Sequence, residues 1–236
     1  MGMHCFSILA EAPTAIQKTM LNIEVHMPFA AIAFVVLGIE RLLYGYCFIC
    51  TNHFKKSVDE SKIPGLTKVQ KDGNRYNYWR CMQRLGVYIK IFQVSVCSYD
   101  LLVLDFDNVK SNLFLGGMFT NPGNHVQLAA GILLIFVGQT LNYAVFTALG
   151  AKGVYYGYEF GYHVARVSCF PYNLNISDPQ YWGVVMSIFG IYLTVGASNY
   201  LVPVIELFWY MMSMQVFENE RGRRLAAAIY RHRKLK

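Results

Sequence analysis

Four stretches of this 236-residue sequence stay apolar for long enough to cross a bilayer, and that limits the fold more than any motif does. A helix needs roughly 20 mainly apolar residues to cross the hydrocarbon core, where no backbone polar group can be left without a partner. Such runs extend from Pro28 to Cys50, from Gly86 to Leu104, from His125 to Leu149 and from Trp182 to Phe217. The last is too long for one crossing. Gly196-Ala197-Ser198-Asn199 followed by Pro203 puts a turn near its middle, so it reads as a helical hairpin. The expected fold is an all-α integral membrane protein, a bundle of about four to five transmembrane helices with a C-terminal helical hairpin. It divides into an N-terminal segment 1–27, a transmembrane domain 28–217 and a basic tail 218–236.

Charge distribution gives the same picture. Only 15% of residues are charged against 55% hydrophobic, and the net charge of +7 is concentrated in two blocks, Lys55 to Arg84 and Arg221 to Lys236. Basic blocks separated by apolar runs describe the flanks of membrane spans rather than a nucleic-acid surface. Between the first two spans Lys55, Lys56, Lys62, Lys68, Lys71, Arg75 and Arg80 outnumber Asp59, Glu60 and Asp72, whereas the next loop carries Asp105, Asp107 and Lys110. Loops 51–84 and 150–181 and the tail are therefore expected on the cytosolic side, and the Asp105 loop on the lumenal side. The first 27 residues, with Glu11 and Glu24, lack the basic start and compact apolar core of a signal peptide.

Glu40 and Arg41 lie within a span, where a charge costs on the order of 2.5–3.5 kcal/mol, so they are expected to face the bundle interior in a structural role. Lys90 stands near the expected end of its span and is expected to snorkel. Cys47 and Cys50 form a C-x-x-C without a second ligand pair, which reads as buried small hydrophobes rather than a metal site, and no metal is expected.

The chemistry is concentrated between Gly138 and Gly183. Gln139 and Asn142 share a helix face and need partners within the protein, either as helix–helix glue or at a ligand. Gly153, Gly157 and Gly161 fall four apart, the spacing of a helical stripe that admits close approach. Glu159, His163 and Arg166 recur at four and three residues, which would place an acid, an imidazole and a guanidinium on one helix face. That face suits either a small charged ligand or plain solvation.

The motifs that follow are more specific. Ala148-Leu149-Gly150, Ala165-Arg166-Val167, Phe170-Pro171-Tyr172-Asn173 and Pro179-Gln180-Tyr181-Trp182-Gly183 occur in the order seen in the phospholipid N-methyltransferase family, which this half of the chain resembles. The N-terminal half matches only in its layout of spans. The family's G-x-G in the third span is reduced here to Gly138, and its paired acidic residues appear as Glu218-Asn219-Glu220.

The resemblance implies methylation of phosphatidylethanolamine or its mono- and dimethyl derivatives by S-adenosylmethionine, in the endoplasmic reticulum membrane with the site facing the cytosol. It implies donor contacts from Gly138, Gly150, Gly153, Arg166, Pro171, Asn173, Tyr181, Glu218 and Glu220. Chemistry suggests Arg166 for the donor's carboxylate and Glu218 or Glu220 for its amino group and ribose. His163, Glu159 or Asp178 could take the proton released by the amine. The tyrosines around positions 155–162, with Tyr181 and Trp182, offer faces to a methylated cation. The isoprenylcysteine carboxyl methyltransferases share the donor, but they show R-H-P where this chain has Ser177-Asp178-Pro179. A non-enzymatic membrane organiser or small transporter would account for the hydropathy but not for this set of motifs.

Overall fold

The computed structural model describes residues 4–60, 71–72, 75–114, 116–120, 122–165 and 167–218. Helix α1 (His4–Ile49) leads into α2 (Thr51–Asp59), and β1 (Lys71–Asp72) pairs antiparallel with β2 (Arg75–Tyr76). Helix α3 (Tyr78–Tyr99) widens into a π turn over Asp100–Leu104, and α4 (Phe106–Val109) and α5 (Gly117–Thr120) make the short connection that follows. Helix α6 (Pro122–Val154), α7 (Pro179–Val195) and α8 (Leu201–Met212), extended by a π turn over Ser213–Phe217, complete the order.

Met27–Ile49, Tyr78–Leu104 and Asn124–Val154 are long and apolar enough to cross a membrane, and α7 and Leu201–Phe217 form a shorter hairpin beside them. Ile39 and Leu42 of α1, Ile91 and Phe92 of α3, and Leu133 and Phe136 of α6 point outward and are exposed, as a lipid-facing belt requires. The all-α membrane architecture and the turn at Gly196–Asn199 match the sequence expectation. One boundary does not: α3 starts at Tyr78 rather than Gly86, so Lys90 lies twelve residues inside the helix rather than at its end. Cys50 is also exposed, unlike its buried neighbour Cys47.

The interior is layered along the bundle. At one end Ala33, Leu37, Leu101, Ile188, Tyr192 and Val202 form an apolar core, and at the other Cys47, Phe54, Trp79, Met82 and Phe160 form a second. Between them Glu40, Arg41, Gln93 and Glu206 are buried, with Lys90 alongside. Glu40 and Arg41 thus face the bundle interior, paired with each other.

Helices α6 and α7 approach backbone to backbone. A Cβ on Gly138 would come within 2.4 Å of the Gly183 carbonyl oxygen, and one on Gly131 within 2.8 Å of the Gly190 oxygen. The two glycine pairs are seven residues apart on both helices, the repeat that keeps one seam facing its partner. Gln139 Nε2 donates to Ser187 Oγ at 2.9 Å across the same seam, so this amide serves as helix–helix glue.

The hairpin turn is held by Asp105, which is 3% exposed. Its carboxylate accepts from the Ser198 amide at 2.7 Å, the Ser198 hydroxyl at 2.6 Å and Asn108 Nδ2 at 2.7 Å. Gly196 ends α7 with φ +65, a left-handed cap that glycine adopts without strain. Because removal of the buried Asp105 carboxylate takes away the acceptor that holds the Ser198 turn, Asp105→Ala should destabilise the protein by roughly 1–2 kcal/mol, measured by unfolding in detergent.

Candidate active site

At the end of the bundle where α1 and α6 finish and α3 and α7 begin, the helices part to form a cleft of about 180 Å³ that opens to solvent. Arg41 and Tyr44 line it from α1, Gly86 and Lys90 from α3, Gly153 and Val154 from α6, Tyr181 and Val184 from α7 and Tyr210 from α8. Tyr155, Tyr156, Tyr172, Asp178 and Glu218 close it from the connecting segments. Gly86 leaves room here for two tyrosines, since a Cβ would lie 2.7 Å from the Tyr44 hydroxyl oxygen and 3.0 Å from Tyr155 Cε1 and would push their side chains aside.

The carboxylate of Glu218 forms one side. Tyr156 donates its hydroxyl to Glu218 Oε1 at 2.9 Å, and Tyr181 donates to the same oxygen. Burial pushes the Glu218 carboxyl from its ordinary 4.5 up to about 7, although the two tyrosine hydroxyls favour the ionised form. Asp178 stands at the entry to α7 with φ +47, immediately before Pro179, and accepts from Ser177 Oγ at 3.0 Å. Burial raises its carboxyl above the ordinary value as well. Burial likewise raises the Tyr156 hydroxyl well above its ordinary value, so it remains a donor at neutral pH.

Two cations also line the cleft. Arg41 lies with its guanidinium carbon 3.7 Å from the centre of the Tyr210 ring, and Lys90 Nζ is 5.6 Å from the same centre. Lys90 donates to the Tyr210 hydroxyl at 2.8 Å and to Gln93 Oε1 at 2.5 Å. Among the described residues no group of three or more His, Cys, Asp or Glu side chains is placed to hold a metal ion.

Most of the cleft lining lies within a recognisable stretch of sequence, because residues 126–230 match the profile of the phospholipid methyltransferases. Over this segment the chain is similar to the phospholipid methyltransferases. Fifty-five residues, 23% of the chain, are 46% identical to an Arabidopsis thaliana protein named phosphatidyl-N-methylethanolamine N-methyltransferase. That match spans 33% of the relative's length. No solved structure matches the chain.

Within the segment that matches this profile the structure brings Gly153, Asp178, Tyr181 and Glu218 together in the cleft. Arg166 and Glu220 lie outside the described residues. Gly138 is at the α6–α7 seam, and Gly150 marks a kink in α6 with φ +65. Pro171 is buried beside the cleft residue Tyr172, whereas Asn173 is exposed on the 3₁₀ turn Tyr172–Leu174.

Glu159 and His163 do not line the cleft, and His163 is exposed. The helix expected to align Glu159, His163 and Arg166, and to carry the glycine stripe, is not formed. Helix α6 stops at Val154, and Tyr156 and Gly161 take left-handed φ values of +56 and +87. Repeated glycines each weaken a helix by about 1 kcal/mol relative to alanine, and here they allow the chain to curl, with the Gly157 amide closing onto Lys152 O at 2.7 Å. The tyrosines at 155 and 156 thereby turn into the cleft. Arg41, Lys90, Tyr44 and Tyr210 are site residues that the motifs did not reveal. The sequence signal for the two cations was a charge inside a span.

Proposed function

We propose that this protein transfers methyl groups from S-adenosylmethionine to the amino headgroup of phosphatidylethanolamine or its mono- and dimethyl derivatives, towards phosphatidylcholine. The endoplasmic reticulum membrane, with the cleft open to the cytosol, is its proposed setting. The observation that carries this reading is the meeting of Asp178, Tyr181 and Glu218, all in the family segment, in a tyrosine-walled cleft at the end of a membrane bundle.

The cleft's chemistry fits a cationic donor and a cationic product. Aromatic faces attract sulfonium and methylated ammonium groups, and a carboxylate braced by two tyrosine hydroxyls is a fixed counter-charge. When bound, S-adenosylmethionine supplies a methyl on a sulfonium, which an amine nitrogen takes by in-line displacement as the carbon–sulfur bond breaks. The protein's task is to align nitrogen and methyl and to exclude water. Glu218 is assigned to the donor's ammonium and Arg166 to its carboxylate. Asp178, whose raised value favours proton uptake, faces the lipid amine and receives the proton that the nitrogen releases.

Membranes expressing the protein, given labelled S-adenosylmethionine, should pass label to phosphatidylethanolamine, its monomethyl form or its dimethyl form. The label should be lost in Arg166→Ala and Asp178→Asn. No label on any of the three lipids, with the protein folded in the membrane, would overturn the reading.

A further inference from the structure

Two cations in the cleft belong to α1 and α3, outside the family segment, and the methyl-transfer steps above do not use them. Counting at 1.5 Å per residue from the helix ends at Ile49 and Tyr78, Arg41 and Lys90 sit about 12 and 18 Å along their helices. They line the cleft, while the carboxylates nearest them, Glu40 and Glu206, do not. The cleft is thus polarised, with positive charge on its membrane-side floor and Asp178 and Glu218 at its outer rim.

We propose that Arg41 and Lys90 form an anion subsite that holds the phosphodiester of the lipid substrate. This deepens the methyl-transfer reading and rests on it. Arg41 is 2% exposed, and its Nε–H has no hydrogen-bond partner among the described residues. Lys90 uses its ammonium on Gln93 and the Tyr210 hydroxyl, which leaves the third N–H for an acceptor in the cleft. Buried donors without acceptors are costly unless a ligand meets them.

The order of charges selects the occupant. In an ethanolamine phospholipid the phosphate is on the acyl-chain side and the amine lies two carbons further out. That runs in the same direction as cationic floor and acidic rim. The donor's carboxylate and ammonium share a single carbon, so with its ammonium at Glu218 its carboxylate must lie close by. Arg41 is instead set back beyond Tyr181, with its guanidinium carbon 5.7 Å from the centre of the ring whose hydroxyl reaches Glu218. The offset between cationic floor and acidic rim suits the more widely separated charges of the lipid.

Lys90→Met keeps the side chain's stem and removes its charge, and Arg41→Lys keeps the charge and removes the planar fork. Each should raise the KM for phosphatidylethanolamine by about tenfold and leave the Kd for S-adenosylmethionine within twofold. Stabilisation of the purified protein by added phosphatidylethanolamine, read as a shift in Tm, should fall in parallel. An unchanged lipid KM in both variants, or a change confined to donor Kd, would overturn the subsite. If the wild-type protein labelled no lipid, the methyl-transfer reading would fail separately. The Tm shift would then decide: present in the wild type and lost in the variants, it supports the subsite; absent in the wild type or kept in the variants, it refutes it.

Discussion

Glu218→Gln should slow methyl transfer roughly 100-fold while leaving the protein folded. The amide keeps the size of the carboxylate and an oxygen to accept from Tyr156 and Tyr181, so the local geometry survives without the charge. The pH dependence supplies a sharper signature. The carboxyl is held near 7 in the folded protein against an ordinary 4.5, so between those values the folded state binds the proton more tightly than the unfolded chain does. The wild type should therefore lose stability as pH rises through that window, and Glu218→Gln should not. If the ionised form is what acts, wild-type activity should climb through pH 7 with a limb that the variant lacks. A parallel rise in donor Kd would put the charge on the donor's ammonium. An unchanged Kd would put it on the lipid amine. Activity within twofold of wild type would remove Glu218 from the machinery.

The second large effect lies away from the cleft. Gly138→Ala and Gly183→Ala each add a Cβ 2.4–2.6 Å from the facing backbone oxygen, and a backbone cannot swing aside as a side chain can. Helices α6 and α7 must separate, and the loss should reach about 3 kcal/mol for either variant in detergent unfolding. Phe136→Ala, on the outward face of α6 with the residue 69% exposed, should melt like the wild type. Glycine variants that melted with the wild type would mean that the seam is looser than described.

Much of this architecture was open to reading in the sequence because a bilayer demands long apolar helices and because Gly196 and Asn199 mark a turn inside one long run. The family motifs likewise pointed to Tyr181 and Glu218, and the need for a proton acceptor pointed to Asp178 as one of three candidates. They could not reveal which distant residues face them. Arg41 and Lys90 are 49 positions apart in sequence, and only the folding of α1 against α3 and α8 brings both to Tyr210. The glycines at 153, 157 and 161 were misread for a physical reason: a spacing of four resembles a helical stripe, but glycine, as at Gly161, also permits the left-handed turns that end a helix. Lys90 was misplaced because Arg80 and Arg84 extended the basic loop to residue 84, although α3 had already begun at Tyr78.

The charged layer between the two apolar cores has a bearing on assembly as well as on chemistry. A slide of α1 or α8 by one turn, about 5.4 Å, would carry Arg41 or Glu206 out of that layer and towards Leu37 or Val202 and their neighbours. Apolar contacts alone would tolerate many such positions, since one leucine-rich level resembles the next. A buried ion level does not, because every other alignment strands a charge in hydrocarbon. Glu40, Arg41, Lys90 and Glu206 therefore act as a detent that admits one axial setting of the helices, and the cleft inherits its shape from that setting.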